Sequence, residues 1–181
     1  MDSSSPVRAY DAEIAQVLQD LVRESLRALL AVTAIVAWAW GVAVVHLARP
    51  HLSQAVLIIL LILGAIGAAY RLHRQHLDLA VATYLAGLLL AVMLIALTFR
   101  SATALYLFML VVLVAATLTN PRATWGIALA GVVLVLALGK SARLAPGTAL
   151  ALPALFVVLT ALTAWLSSQR LFTALGWTLS M

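Results

Sequence analysis

The charged residues of this 181-residue chain gather into short clusters, and what lies between the clusters is apolar. Charge-free stretches run 28–48, 50–70, 79–99, 101–121, 123–139 and 144–169. A helix needs about 20 apolar residues to cross a hydrocarbon core of about 30 Å. Five of the six stretches have that room. The other, 123–139, sits at the short end of the usable range, and Lys140 beside it can snorkel toward the interface. The runs are continuously apolar, whereas strands of a membrane barrel alternate with period two, so a β-barrel is excluded. The expected fold class is an all-α integral membrane protein with a bundle of six transmembrane helices. They are placed at about 28–48, 51–70, 79–99, 101–119, 121–139 and 148–168. An N-terminal polar tail and amphipathic cytoplasmic helix (1–27) precede the bundle (28–169), and a short cytoplasmic exit helix (170–181) follows it.

Composition excludes the alternatives. The chain is 65% hydrophobic and 9% charged, against about 45–50% and about 25% in soluble domains. Its 11 Lys and Arg and 6 Asp and Glu are too few to cover a soluble surface of this size. Mean hydropathy is +1.13, and disordered chains are poor in apolar residues. The net charge of +5 is spread along the chain instead of forming a patch, so no nucleic-acid partner is expected. Cysteine is absent, which removes disulfides, thiolate metal sites and palmitoyl anchors.

Charges recur near every 22 positions, from Arg49 to Arg71, Asp78 to Arg100 and Arg100 to Arg122. Bilayer thickness divided by the helical rise accounts for that spacing without an internal repeat. The connections are short. Arg49-Pro50 turns the first helix into the second, and Phe99-Arg100-Ser101 turns the third into the fourth. Asn120 caps the fifth helix, with Pro121 at its first position. The longest connection is Gly139–Gly147, and Pro153, inside the sixth helix, is expected to kink it. Residues Ile14, Val17, Leu18, Leu21 and Val22 recur at helical spacing, which makes the N-terminal segment an amphipathic helix running into the first span. Its acidic start does not read as a cleavable signal peptide. Placing the N-terminus inside puts Arg8, Arg23, Arg27, Arg71, Arg74, Arg122 and Arg170 on the cytoplasmic side. Arg49, Arg100, Lys140 and Arg143 then lie outside. That asymmetry predicts a multi-pass protein of the bacterial cytoplasmic membrane with both termini cytoplasmic.

Every Asp, Glu, Lys and Arg lies at or beyond a predicted helix end, which disfavours ion-coupled transport. The polar groups at depth are Thr33, Thr83, Tyr84, Thr98, Tyr106, Thr117, Thr160 and Thr163. Threonines there are expected to bond back to their own helix. His73 and His76, with Asp78 beside them, are the candidate metal ligands by spacing. The arginines around them oppose a cation, and a basic turn facing lipid headgroups is the preferred reading. Trp38 and Trp40 point to different sides of the first helix, and Trp125 and Trp165 lie near helix ends, as interfacial tryptophans do. Gly64 and Ala68, with Ala65 and Ala69, form a small-residue face suited to helix packing. Phosphate-binding loops, zinc-protease motifs, nucleophile triads and paired carboxylates are absent from the sequence, so no catalytic residue, cofactor or enzymatic activity is expected.

The C-terminal stretch Leu162-Thr-Ala-Trp-Leu-Ser-Ser-Gln-Arg-Leu-Phe-Thr-Ala-Leu-Gly-Trp177 resembles the exit from the six-helix membrane module of certain bacterial sensor histidine kinases. In that family the module ends in a pattern like Ala-Trp-Leu-Ser-Ser-Arg-x-Leu-Tyr-Thr-Ala-Leu-x-Trp, followed by GAF or PAS domains and the kinase core. Trp165, Leu166, Ser167, Ser168, Leu171, Thr173, Ala174, Leu175 and Trp177 match, with Phe172 where the family tends to have tyrosine. The acidic start, tight hairpins and Asn-Pro-Arg before the fifth helix are similar in layout. The resemblance implies a membrane-embedded sensory input module that lacks its own catalytic domain, since the sequence stops at Met181. Its signal-exit helix would comprise Trp165, Ser167, Ser168, Arg170, Leu171, Phe172, Leu175 and Trp177. Membrane lipids, a homo- or hetero-oligomer and a cytoplasmic signalling partner are the expected partners. The rival readings are an accessory or assembly subunit of a membrane complex, and a small transporter or channel subunit.

Overall fold

The structure is a computed structural model; it describes the backbone of residues 6–47, 52–73, 76–141 and 150–179, and the side chains of 20–42, 52–73, 76–141 and 150–167. Among the described residues there are six α-helices: α1 (Pro6–Leu47), α2 (Leu52–Leu72), α3 (Leu77–Phe99), α4 (Leu107–Leu118), α5 (Pro121–Ser141) and α6 (Ala151–Leu179). A 3₁₀ turn, Ala102–Tyr106, leads directly into α4. Among the described residues four segments are long and apolar enough to cross a membrane: Asp20–Val42, Leu52–Leu72, Leu77–Phe99 and Pro121–Ser141. Two further apolar segments, Ala102–Leu118 and Ala151–Ser167, are shorter. The chain is an all-helical, multi-pass membrane protein.

Local chemistry explains the helix ends. Asn120 Oδ1 accepts the Ala123 N–H at 2.8 Å, so the expected cap is in place and satisfies one donor that α5 otherwise leaves open. Thr124 Oγ1 donates back to the Asn120 carbonyl at 3.1 Å, which tightens the same turn. Arg100 closes α3 in the left-handed region (φ 46°, ψ 37°), a conformation that costs an L-residue about 1–2 kcal/mol. That single residue, followed by extended Ser101, reverses the chain into the 3₁₀ turn. Pro153 lies inside α6 but in its first turn, where it is buried and the missing N–H has no helical acceptor to lose, so it gives no reason for a kink. The turns expected at Arg49-Pro50 and in the 142–147 part of the fifth connection lie outside the described residues, as do the side chains of Ile14, Val17 and Leu18.

Successive helices pack on one another, and close residue pairs mark where they meet. Gly41 of α1 faces Ile59 of α2, Ala65 of α2 faces Gly87 of α3, and Gly131 of α5 faces Val157 of α6. Of these three pairs the closest is at Gly87, where an added Cβ would stand 2.3 Å from the Ala65 Cβ. Helices α1–α3 form one half of the bundle and α4–α6 the other, with α4 joined across the seam to α1 and α3. Thr33 and Tyr84 bind α1 to α3, and Trp40 packs edge-on against Phe99 near their other ends (centroids 6.0 Å).

Small residues take a large share of the buried positions, and many large apolar side chains face outward. Alanines 37, 55, 69, 80, 91, 96, 104, 115, 128 and 161 are buried, while Leu60, Ile35, Trp38, Leu129 and Leu155 are exposed. Lipid tails are as apolar as leucine, so large side chains gain nothing by turning inward. Small ones let backbones approach and gain dispersion contacts. Tyr84, Leu105, Phe108, Val112, Val135 and Val157 fill the space that remains.

Candidate functional site: a cleft at one end of the bundle

The ends of α2 and α4 and the starts of α3 and α5 meet at one end of the bundle, because the connections 73–76 and 119–120 are too short to travel. A cleft of about 790 Å³ opens there, between the two halves. One wall is a single face of α3: Asp78, Val81, Ala82, Leu85, Ala86 and Leu89, which recur at helical spacing. Val22 of α1 closes one side, and Leu118, Thr119, Asn120, Ala123 and Ile127 form the other wall. Ala82, Ala86 and Ala123 are exposed, and their small side chains give the cleft its depth. The polar groups, Asp78, Thr119 and Asn120, belong to helix ends, so the mouth is polar and the interior apolar. Asp78 in the first turn of α3 also faces that helix's positive end, a favourable place for a carboxylate.

Beside this cleft, the candidate metal ligands do not converge. His73 is buried (3% exposed), and both ring nitrogens are occupied. Arg27 of α1 donates to its Nε2 at 3.3 Å, since a guanidinium only donates. The Nδ1–H therefore donates to the Tyr70 carbonyl, and the ring lies against Tyr70 with centroids 5.1 Å apart. No lone pair is left for a metal. His76 is exposed at the N-cap of α3, where its carbonyl accepts the Ala80 N–H at 3.0 Å. Asp78 lies on the cleft. Among the described residues no group of three His, Cys, Asp or Glu side chains is placed to hold an ion. His73 is better described as a clasp between α1 and α2.

Thr117, Thr160 and Thr163 bond back to the carbonyls of Val114, Phe156 and Leu159, at 2.8, 2.7 and 2.9 Å, as expected of hydroxyls in an apolar helix. Thr33 departs from that expectation. Its Oγ1 lies 2.6 Å from the Tyr84 hydroxyl, and Tyr84 is fully buried. Within the small-residue face of α2, Gly64 is exposed, with open space where a Cβ would stand, and Ala68 is half-buried; Ala65 makes the close contact with α3, with buried Ala69 one turn on.

Of the expected exit-helix residues, Trp165 is half-buried and Ser167 exposed. The side chains of Ser168, Arg170, Leu171, Phe172, Leu175 and Trp177 lie outside the described residues, while the helix backbone through them is continuous. The cleft itself escaped the sequence reading. Its signal was present in Ala82 and Ala86, two small residues a turn apart among leucines. Comparison of the chain with protein-family models, with curated proteins and with solved structures gives no match.

Proposed function

We propose that the chain is a membrane-embedded input module of a signal-transduction protein, with six spans and both termini on the cytoplasmic side. The observation that carries this reading is α6, which runs unbroken from Ala151 to Leu179. At about 1.5 Å per residue, its 29 residues reach about 43 Å, well beyond a hydrocarbon core of about 30 Å. The same helix that packs on α4 and α5 inside the bundle is thus the one that leaves it. Because α4 also contacts α1 and α3, a shift of one half against the other has a rigid path to the C-terminal segment. The segment Ala102–Leu118 supports the fourth span. Its five 3₁₀ residues rise about 2 Å each and its twelve α-helical residues about 1.5 Å, so it covers about 28 Å.

A helix that transmits a signal as a rigid body has a phase, and phase is testable. The full chain is joined through Trp177 to the cytoplasmic half of a histidine kinase, and one to four alanines are inserted after Arg170. Each insertion turns the downstream part by about 100°. Autophosphorylation is expected to change by at least about fivefold at two insertions, the low end of ordinary allosteric coupling, and to return toward the starting level at four. Activity indifferent to insertion length, or falling steadily with it, contradicts the reading.

A further inference from the structure

We propose that the cleft between α1, α3 and the α4–α5 turn binds a single phospholipid with a primary ammonium headgroup, drawn from the leaflet at that end of the bundle. The inference needs only that the chain crosses a bilayer and stands apart from the signalling reading. Its dimensions fit one leaflet. From Asp78 at the mouth to Leu89 at the far end, α3 advances about 16 Å, half of a hydrocarbon core of about 30 Å. The volume of about 790 Å³ lies within the range of small-molecule sites, about 300–1,000 Å³. It leaves room for one acyl chain and the glycerol end, with the second chain lying in the surrounding bilayer.

The mouth then selects the headgroup. Asp78 is the only carboxylate in the sequence after Glu24. Among the described residues the ion pair formed is Arg23 with Asp20 (3.8 Å), and Asp78 has no charged partner. An ammonium with three N–H donors suits it. Asn120 spends its Oδ1 on the Ala123 N–H, which leaves its two amide N–H donors for a phosphate oxygen. Arg122, exposed and next in the chain to the cleft residues Asn120 and Ala123, puts a positive charge at the same end of the bundle. A carboxylate beside two donor groups complements a zwitterion of ammonium and phosphate. A quaternary choline headgroup has no N–H to donate, and a glycerol headgroup brings no cation to Asp78.

The test is native mass spectrometry of the purified full chain with added phosphatidylethanolamine, phosphatidylcholine or phosphatidylglycerol of identical acyl chains. Half-occupancy by phosphatidylethanolamine is expected at a concentration about tenfold lower than for the other two. Asp78→Asn should erase that preference, and Asp78→Glu, which keeps the carboxylate, should retain most of it. Ala86→Leu, a change at an exposed residue in the groove, should remove all bound lipid while leaving the circular dichroism of the bundle unchanged. Equal binding of the three lipids, an undiminished preference in Asp78→Asn, or full lipid occupancy in Ala86→Leu would overturn the proposal. If Asp78→Asn fails to fold, the headgroup ranking with the native chain and Asp78→Glu still decides it.

Discussion

Leucine in place of Gly87 is expected to pry α2 away from α3 and to destabilise the purified chain by about 3 kcal/mol, the upper end of overpacking costs. A Cβ at this position would stand 2.3 Å from the Ala65 Cβ and 3.7 Å from its Cα, whereas carbon atoms in contact sit about 3.5–4.0 Å apart. The obstructing atom is a methyl fixed to the backbone of the opposite helix, so no rotamer relieves the clash. Alanine is the milder case. Its better helix propensity returns up to about 1 kcal/mol, leaving a net loss of about 1–2 kcal/mol. Gly64→Ala is the internal control, because its Cβ would enter open space on the outer side of α2. It should be neutral or mildly stabilising. Thermal unfolding in detergent, followed by circular dichroism, separates these outcomes; a Gly87→Leu chain as stable as the native one would mean that α2 and α3 do not approach here.

Tyr84→Ala is expected to cost about 3–5 kcal/mol, the range for emptying the site of a large buried aromatic side chain. Tyr84 is fully buried among the helices, and it joins α3 to α1 through Thr33 at 2.6 Å. The ring and the hydroxyl contribute very unequally. Tyr84→Phe keeps the ring and removes only the interhelical hydrogen bond, a loss of about 0.6 kcal/mol on average and up to about 1.7 in measured membrane proteins. Thr33→Val should cost a similar amount. The double variant should cost little more than either alone, since both remove the same bond. Stability curves for the four variants check this. Additive losses in the double variant would show that the two hydroxyls do not serve each other.

What the sequence made legible, and what it did not, follows from how each feature is encoded. Helix ends that are written in local chemistry, such as Asn120 with Pro121 and the turn at Arg100, were readable. Each depends on a residue and its immediate neighbours. Pro153 was ambiguous, because it is compatible both with a kinked helix interior and with a first turn; the structure puts it in the first turn of α6. Which face of a helix packs was harder still. In an apolar span every face is apolar, so hydrophobic periodicity no longer distinguishes inside from outside. The small residues of α2 stand in the sequence as Gly64, Ala65, Ala68 and Ala69, and only the folded bundle singles out Ala65 as the one that meets α3 at Gly87. Thr33 bonding to Tyr84, 51 positions away, and the joining of Arg27 to His73, 46 away, depend on tertiary proximity that no local pattern carries. The cleft is legible only after folding, since its walls come from three separate stretches of chain, at Val22, Leu77–Leu89 and Leu118–Ile127.

The proposed topology is a six-span bundle with both ends of the chain on one side, and the absence of cysteine makes it directly measurable. Single cysteines at positions 3, 76, 101, 120, 145 and 173 are exposed in intact bacteria to a membrane-impermeant thiol reagent, and again after the membrane is opened. Positions 101 and 145 are predicted to label in intact cells. Positions 3, 76, 120 and 173 are predicted to label only after opening. Labelling of position 173 from outside while position 3 stays protected would remove one span and contradict the account.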